Sequence, residues 1–438
     1  MVQISSTLSD GRYSLEEIAA QARANGAKIV IFADRDCMQW EYGLWPLRAI
    51  IKKTVKSNSV SSYGISRYLK EIEKVQKKNP DLILIPGFEV APFYYWTGSP
   101  LENNLKIKNW HKHMMVVGLN KPEDLENIPS LANPRALRLS FAWKDIGRLW
   151  PLLLVVLGVY IFRIKKFTYT DMQGHTYGKF ALVWKISGVG IIIFALLFLV
   201  NNFPFRSVLY DQYQGDRGVL PYQNLIEYVR NKGGLIFWVH PEAEYVQSRG
   251  NIGIETKEYS QDLMKTSHYN GFTIFYEGYK KIGRPTGKWD ELLKEYCQGA
   301  RKEPIWAIGG LGFDQIGELS KEIRDLKVMV LLKDWNKEAV LNAFKEGKVY
   351  VTMGNAGLRL DSFFIQNSLF DATKASMGEE LEVKGNPFIS LKGYALPGNS
   401  EAIKVTLIRN GIIIKTFEVN NPFHIEYQDE DAGKEEKS

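Results

Sequence analysis

Carboxylates and imidazoles recur at or beside the ends of short apolar runs, and these are side-chain types that ligate divalent cations. Asp10 lies in a polar turn, Ser9-Asp10-Gly11, and Asp34-Arg35-Asp36 follows the apolar run Lys28–Ala33. Glu89 closes DLILIPGFEV; coming after Gly87 at a strand end, it can point into the mouth of a barrel. His111 and His113 fall in WHKHMMVVGL, two residues apart and so on one face of a strand. His240 is followed by Pro241, which stops a strand. Two histidines and two carboxylates can hold one ion if they converge; taken alone, a strand histidine is more often a hydrogen-bonded core residue. Arg35 differs in kind. A fixed guanidinium either binds an anion bidentately or pairs with Asp34, Asp36 or Glu89.

The elements around these residues follow from local pattern. Ser14 with Glu17 three residues later is a capping box, and Ile18, Ala19, Ala22 and Ala27 mark an apolar helix face that Gly26 ends. A second helix spans 65–80, with Ile65, Tyr68, Leu69, Ile72 and Val75 on one side. YQNLIEYVRNKGG and GKWDELLKEYCQGARK give two more helices, and YNGFTIFYEGY and PIWAIGGLGFD two more buried strands, the first ending at Glu277. Alternating strand and helix places the chain in the α/β class.

The first 36 residues resemble the opening of the PHP (polymerase and histidinol phosphatase) family, metal-dependent phosphoesterases on a distorted β/α barrel. The family opens on a strand, H-x-H-S-T-x-S-D-G, a helix, and a strand ending T-D-H. Here Gln3, Ser5 and Arg35 stand where its histidines belong, and Asp10 is kept. Glu89 in Pro-Gly-x-Glu, His113 in H-x-x-x-x-G-L and His240 in G-G-x-x-x-x-x-H-P match later family motifs. Where the family ends G-S-D-x-H, this chain has Leu311 and Phe313, with Asp314 one residue off the matching position. NKEAVLNAFKEGKVYVTMG matches a helix–strand unit that follows PHP barrels, so the resemblance runs from about Val2 to Gly354. It implies a metal set of Asp10, Glu89, His113 and His240, with His111 a weaker candidate, and an anion-binding role for Arg35. The family's metals generate hydroxide and clamp phosphoryl oxygens. With five of nine ligand positions replaced, the resemblance implies at most one divalent ion (Mn, Zn or Fe), or none.

Two apolar runs interrupt this frame. Leu149–Phe162 is bounded by Arg148 and Arg163, and Ile186–Val200 extends backward across Lys185. A spanning helix needs about 20 apolar residues, and GIIIFALLFLV has no polar face for a soluble surface. The runs predict a two-helix transmembrane hairpin inserted in the barrel, with the bilayer as partner. Lysine and arginine in the connecting loop slightly favour a cytoplasmic loop and an extracytoplasmic barrel. From about 358 the pattern alternates in period 2, and Asn410-Gly411 signals a hairpin, giving a small all-β sandwich-like domain. The expected divisions are 1–140 and 206–357 for the barrel, 141–205 for the hairpin and 358–438 for the β domain.

Composition narrows the function classes. The 438 residues carry a net charge of +7, with 45% hydrophobic and 24% charged residues. The lysines are scattered with no aromatic–basic recognition motif, so no nucleic-acid partner is expected. Cys37 and Cys297 are too few for a disulfide framework. The opening strand starts almost at Met1, and QDEDAGKEEKS follows directly on a strand, the pattern of a chain trimmed at both ends. Two readings follow: a membrane-anchored PHP-type phosphoesterase with reduced or lost metal-dependent hydrolysis, acting on a phosphorylated small molecule, or an inactive PHP scaffold for anion binding or assembly at a membrane.

Overall fold

Short, fully buried strands such as Ile83–Ile85, Met114–Val117 and Leu235–Trp238 are interspersed with amphipathic helices such as Ile65–Lys78 and Leu220–Asn231. The computed structural model describes residues 1–136, 143–164, 167–179, 181–203, 209–275, 278–312, 318–354, 357–367, 373–383, 385–396 and 402–432. The chain divides into two compact units. One comprises Met1–Met38, Asn58–Asn133 and Tyr210–Ser438; the other comprises Gln39–Ser57 and Pro134–Leu209.

In the first unit the architecture is mixed α/β. The expected barrel strands are split between two small sheets, not one closed ladder. Val2–Ile4, Ile29–Phe32 and Ile83–Ile85 form a three-stranded sheet with parallel pairing. The second has six strands in the order Trp306–Gly309, Gly271–Ile274, Leu235–Trp238, Met114–Val117, Gly87–Val90 and Asp34–Arg35. Only Met114–Val117 runs antiparallel to its neighbours. One backbone hydrogen bond, from the Leu311 N–H to the Val2 carbonyl (3.0 Å), links the end of the Trp306–Gly309 segment back to the first strand.

Alternation along these strands sorts side chains into two cores. Val2, Ile31, Ala33, Ile85, Met115, Val117, Phe237 and Ile308 pack together, joined by Val340 and Phe344 of the helix Lys337–Glu346. Val30, Phe32, Leu84, Phe88, Met114, Val116 and Trp238 face the helices Leu15–Ala24, Ile65–Lys78 and Leu220–Asn231. The Ser14–Glu17 capping box is present in both directions. Ile65, Tyr68, Ile72 and Val75 are buried as the periodicity predicts.

Two strands are shorter than the sequence suggests. WHKHMMVVGL is extended in a ladder only from Met114, so His111 and His113 precede the strand in a turn closed by Lys112 N–H to Asn109 O (3.2 Å). The strand before His240 stops at Trp238, and His240 leaves it with φ 37°. Both histidines sit at strand ends rather than within strands.

Toward the C-terminus, Lys374–Ser376, Arg359–Gln366, Phe388–Tyr394 and Phe423–Gln428 form a four-stranded sheet in that order. A hairpin, Ile403–Arg409 with Ile412–Val419, turns at Asn410-Gly411, both at positive φ. Leu391, Phe423 and Ile425 of the sheet share a core with Val405 and Phe417 of the hairpin.

The second unit holds the apolar helices Pro151–Arg163 and Ala181–Asn201, joined by the strand pair Phe167–Thr170 and Thr176–Lys179. Two windows, Ile146–Arg163 and Leu182–Asn201, are long and apolar enough to cross a membrane, and 11% of each is buried. The helices approach at Gly158 and Gly188: a Cβ on Gly158 would lie 2.9 Å from the Gly188 carbonyl, and one on Gly188 would lie 2.7 Å from that of Gly158. The same unit includes an antiparallel pair, Gln39–Gly43 with Lys52–Lys56.

Candidate metal centre

Strand register brings the site together. Arg35 pairs with Glu89 in the parallel ladder, and Glu89 pairs with Met115 in the antiparallel one. Glu89 alternates with Phe88 and Val90, so it faces away from the helices. His113 arrives just before Met114. His240 follows Val239, whose N–H reaches the His113 carbonyl at 3.4 Å.

Asp34, which sequence reasoning passed over as a site residue, fixes the loop that carries Asp10. Its carboxyl is fully buried; Oδ1 accepts from Ser6 N–H (2.6 Å), Ser6 Oγ (2.9 Å) and Ser9 Oγ (2.7 Å), and Oδ2 accepts from Tyr68 Oη (3.0 Å). Burial raises its pKa against these four donors. Gly11 allows the loop to close: a Cβ there would lie 2.1 Å from the Ser5 carbonyl. The sequence signal was present in the paired serines, but nothing local named Asp34 as their acceptor.

The ligand candidates converge on a guanidinium. Arg35 Nε donates to Asp10 Oδ2 at 2.8 Å, Arg35 Nη1 donates to Glu89 Oε1, and Nη1 lies 2.7 Å from His113 Nδ1. His113 Nδ1 is 2.7 Å and His240 Nε2 is 3.1 Å from that same Oε1, and the two ring nitrogens are 3.3 Å apart. Each imidazole is oriented from behind. His113 Nε2 lies 3.0 Å from the Trp110 carbonyl. Tyr259 Oη donates to the Val239 carbonyl (2.6 Å) and lies 3.0 Å from His240 Nδ1. Each ring is thus held from behind through one nitrogen and brings the other within 3.1 Å of Glu89 Oε1, outer partners fixing ring orientation as they do around metal-bound histidine.

Charge follows the same geometry. Burial would raise the Glu89 pKa, but Arg35 and His113 hold it well below the usual carboxylate range. Burial, then the Arg35 charge, lowers His113 to about 4, so it is neutral at pH 7. Burial pushes Asp36 up to about 7, against backbone hydrogen bonding and Arg35.

Glu89, His113 and His240 offer donor atoms that all lie within 4.8 Å of one another, a set able to hold one ion. Asp10 joins the cluster through Arg35. His111 does not: its ring packs 3.6 Å from that of Tyr245, and burial lowers its pKa to about 2. At the replaced positions, Ser5 Oγ donates to the Ala33 carbonyl, Gln3 is buried against Gly310, and Leu311 packs in the helix-side core. Phe313, Asp314 and Glu277 lie outside the described residues. Glu242 accepts the N–H groups of Lys280, Lys281 and Ile282 (3.2, 2.8 and 2.8 Å). Beside the cluster, a cavity lined by Arg35, Cys37, Glu89, His111 and His113 measures about 10 Å³, roughly one water.

Lys112 was also missed. It is buried, pairs with Asp262, and lies over the Tyr222 ring at 4.2 Å, with Tyr259 at 5.5 Å and Trp238 at 5.9 Å. It ties the turn bearing His113 to Tyr259, the tyrosine that orients His240.

No family model matches the chain, and no curated protein matches it. Among solved structures it is similar to a protein described as a metal-dependent phosphoesterase from Bifidobacterium adolescentis. That likeness has 16% identity and TM-score 0.29 over 71% of this chain and 86% of the other. It is similar to a two-domain protein from Bacteroides vulgatus described as containing a PHP-like metal-dependent phosphoesterase (9%, 0.34, 98% and 84%). It is also similar to an amidohydrolase from Chromobacterium violaceum with bound sulfate and no metal (12%, 0.27, 72% and 87%). Scores this low do not establish a shared fold, and the chemistry of the site rests on its own geometry.

Proposed function

We propose that this chain is a membrane-tethered protein of PHP type in which Arg35 has taken the place of the catalytic cation, leaving an assembly scaffold with metal-dependent hydrolysis reduced or lost. One observation carries the reading: Arg35 Nη1 sits against Glu89 Oε1 and His113 Nδ1, two of the three donors an ion would use. A cation at ordinary ligand distance from those atoms overlaps the guanidinium. The bond between Leu311 and Val2 supports reading the two sheets as one distorted barrel. The length and exposure of the two apolar helices, and their close approach at Gly158 and Gly188, support a spanning hairpin. Positive charge in the connecting loop, Arg163 to Lys179, favours placing that loop in the cytoplasm.

A bound metal would activate water and polarise a phosphoryl oxygen. For that, Glu89, His113 and His240 would hold it, and Arg35 must first withdraw. Arg35 already meets two carboxylates and the adjoining cavity has room for roughly one water, so a phosphorylated ligand needs the same withdrawal. We therefore place anion binding by Arg35 second to its structural role. The expected result is no Mn²⁺-dependent turnover of simple phosphate esters above the level of a His240→Ala variant. Clear turnover that His240→Ala abolishes would defeat the proposal.

A further inference from the structure

In the unit formed by 39–57 and 134–209, the turn between Gln39–Gly43 and Lys52–Lys56 has an unusual surface. Leu44 is 46% exposed, Trp45 79%, Ile50 37% and Ile51 50%. Four large apolar side chains at the tip of a two-stranded hairpin have no folding rationale in water, where such hairpins are marginal by themselves. The tip is nonetheless well built. Leu44 N–H donates to Ile51 O (2.8 Å), and the Ile50 and Ile51 N–H groups both donate to Leu47 O (2.9 and 2.8 Å).

Its position says what covers it. Asn201, the last residue of the helix Ala181–Asn201, donates from Nδ2 to Pro46 O (3.1 Å) and accepts the Ala49 N–H at Oδ1 (2.9 Å). One side chain thus fastens both halves of the tip to the end of the apolar helix. Trp150 reaches the same end, its ring 5.6 Å from that of Phe198. Lys52 and Lys53 follow Ile51 and are exposed; Lys52 meets Glu41 at 2.7 Å. At about 3.4 Å per residue they stand within one headgroup layer of the tip. Apolar side chains with tryptophan at a span's end, backed by lysines, match a bilayer surface with anionic headgroups.

We propose that Leu44–Ile51 inserts into the bilayer surface where the Ala181–Asn201 helix leaves it, with Lys52 and Lys53 at anionic headgroups. The inference rests on the reading of the two helices as membrane-spanning. The test uses the full chain, Cys37→Ser and Cys297→Ser, with a bimane label on Trp45→Cys or Ile193→Cys. Vesicles are phosphatidylcholine with or without phosphatidylglycerol, and quenching is by lipids carrying a nitroxide near the headgroup or at mid-chain. The expected result is about twofold quenching at position 45 by the shallow nitroxide and at position 193 by the deep one. In phosphatidylglycerol vesicles, Lys52→Glu with Lys53→Glu weakens insertion of the tip by at least roughly fivefold per lysine, the effect of losing the positive charge alone, and in phosphatidylcholine alone it does not. Position 45 unquenched while position 193 is quenched overturns the insertion and leaves the spanning helices standing; a tip covered by a second copy of the chain gives this result. Both positions unquenched removes the spanning reading and the insertion with it. Charge reversal without effect overturns the headgroup contact.

Discussion

Replacing Arg35 by alanine lowers stability by about 3–5 kcal/mol in chelator, the cost of leaving a buried carboxylate without its countercharge. The side chains of Arg35 and Glu89 are 14% and 5% exposed, so water cannot substitute for the lost guanidinium. The same substitution clears the space among Glu89 Oε1, His113 Nδ1 and His240 Nε2, whose rings stay oriented by Trp110 and Tyr259. Zn²⁺ then binds the variant and restores about 2.7 kcal/mol at a hundredfold excess over its dissociation constant. Arg35→Lys keeps a charge but loses the fork that spans Asp10 and Glu89, and falls between the two. Thermal unfolding in detergent, with chelator or Zn²⁺, reads all three. An alanine variant as stable as the parent in chelator, or a parent stabilised by Zn²⁺ as much as the variant, contradicts this assignment.

Asp36→Asn stabilises the chain at pH 8 by more than twice its effect at pH 5, and has little effect below about pH 4. Burial raises the Asp36 carboxyl from its ordinary value to about 7 in the folded chain. Between roughly pH 4 and 7 the folded state therefore holds a proton that the unfolded state has released. Stability falls as pH rises through that window, and above about pH 7 the full penalty is present. A shift of about three units corresponds to roughly 4 kcal/mol as a ceiling. Asparagine keeps an acceptor without ionising, so the penalty disappears and the melting temperature of the variant flattens between pH 5 and 8. A variant less stable than the parent at pH 8 would show that the ionised carboxylate makes a contact the fold needs.

How much of this was legible beforehand varies residue by residue. The capping box at Ser14 and Glu17 and the Asn410-Gly411 turn are local, and local chemistry decides them. Glu89, His113 and His240 were picked out by their motifs, Glu89 and His240 at strand ends; that His113 precedes its strand follows only from the register that gathers the three. The sequence offered Glu89 as one of three carboxylates for Arg35, beside anion binding, and could not choose among them. The choice depends on a parallel pairing between strands 54 residues apart, and a slip of one residue would turn either side chain to the other face. Lys112 reads as a surface lysine until Tyr222, Trp238 and Tyr259 enclose it from distant segments. The tip Leu44–Ile51 carries neither helical nor strand periodicity, so its role emerges only from its attachment to Asn201.

The central claim is that a side chain of the protein occupies the cation's place. Elemental analysis of the full chain, purified in detergent without chelator, tests it most directly. The account predicts well under one transition-metal ion per chain. A stoichiometric ion, lost in the His113→Ala/His240→Ala variant, would contradict it.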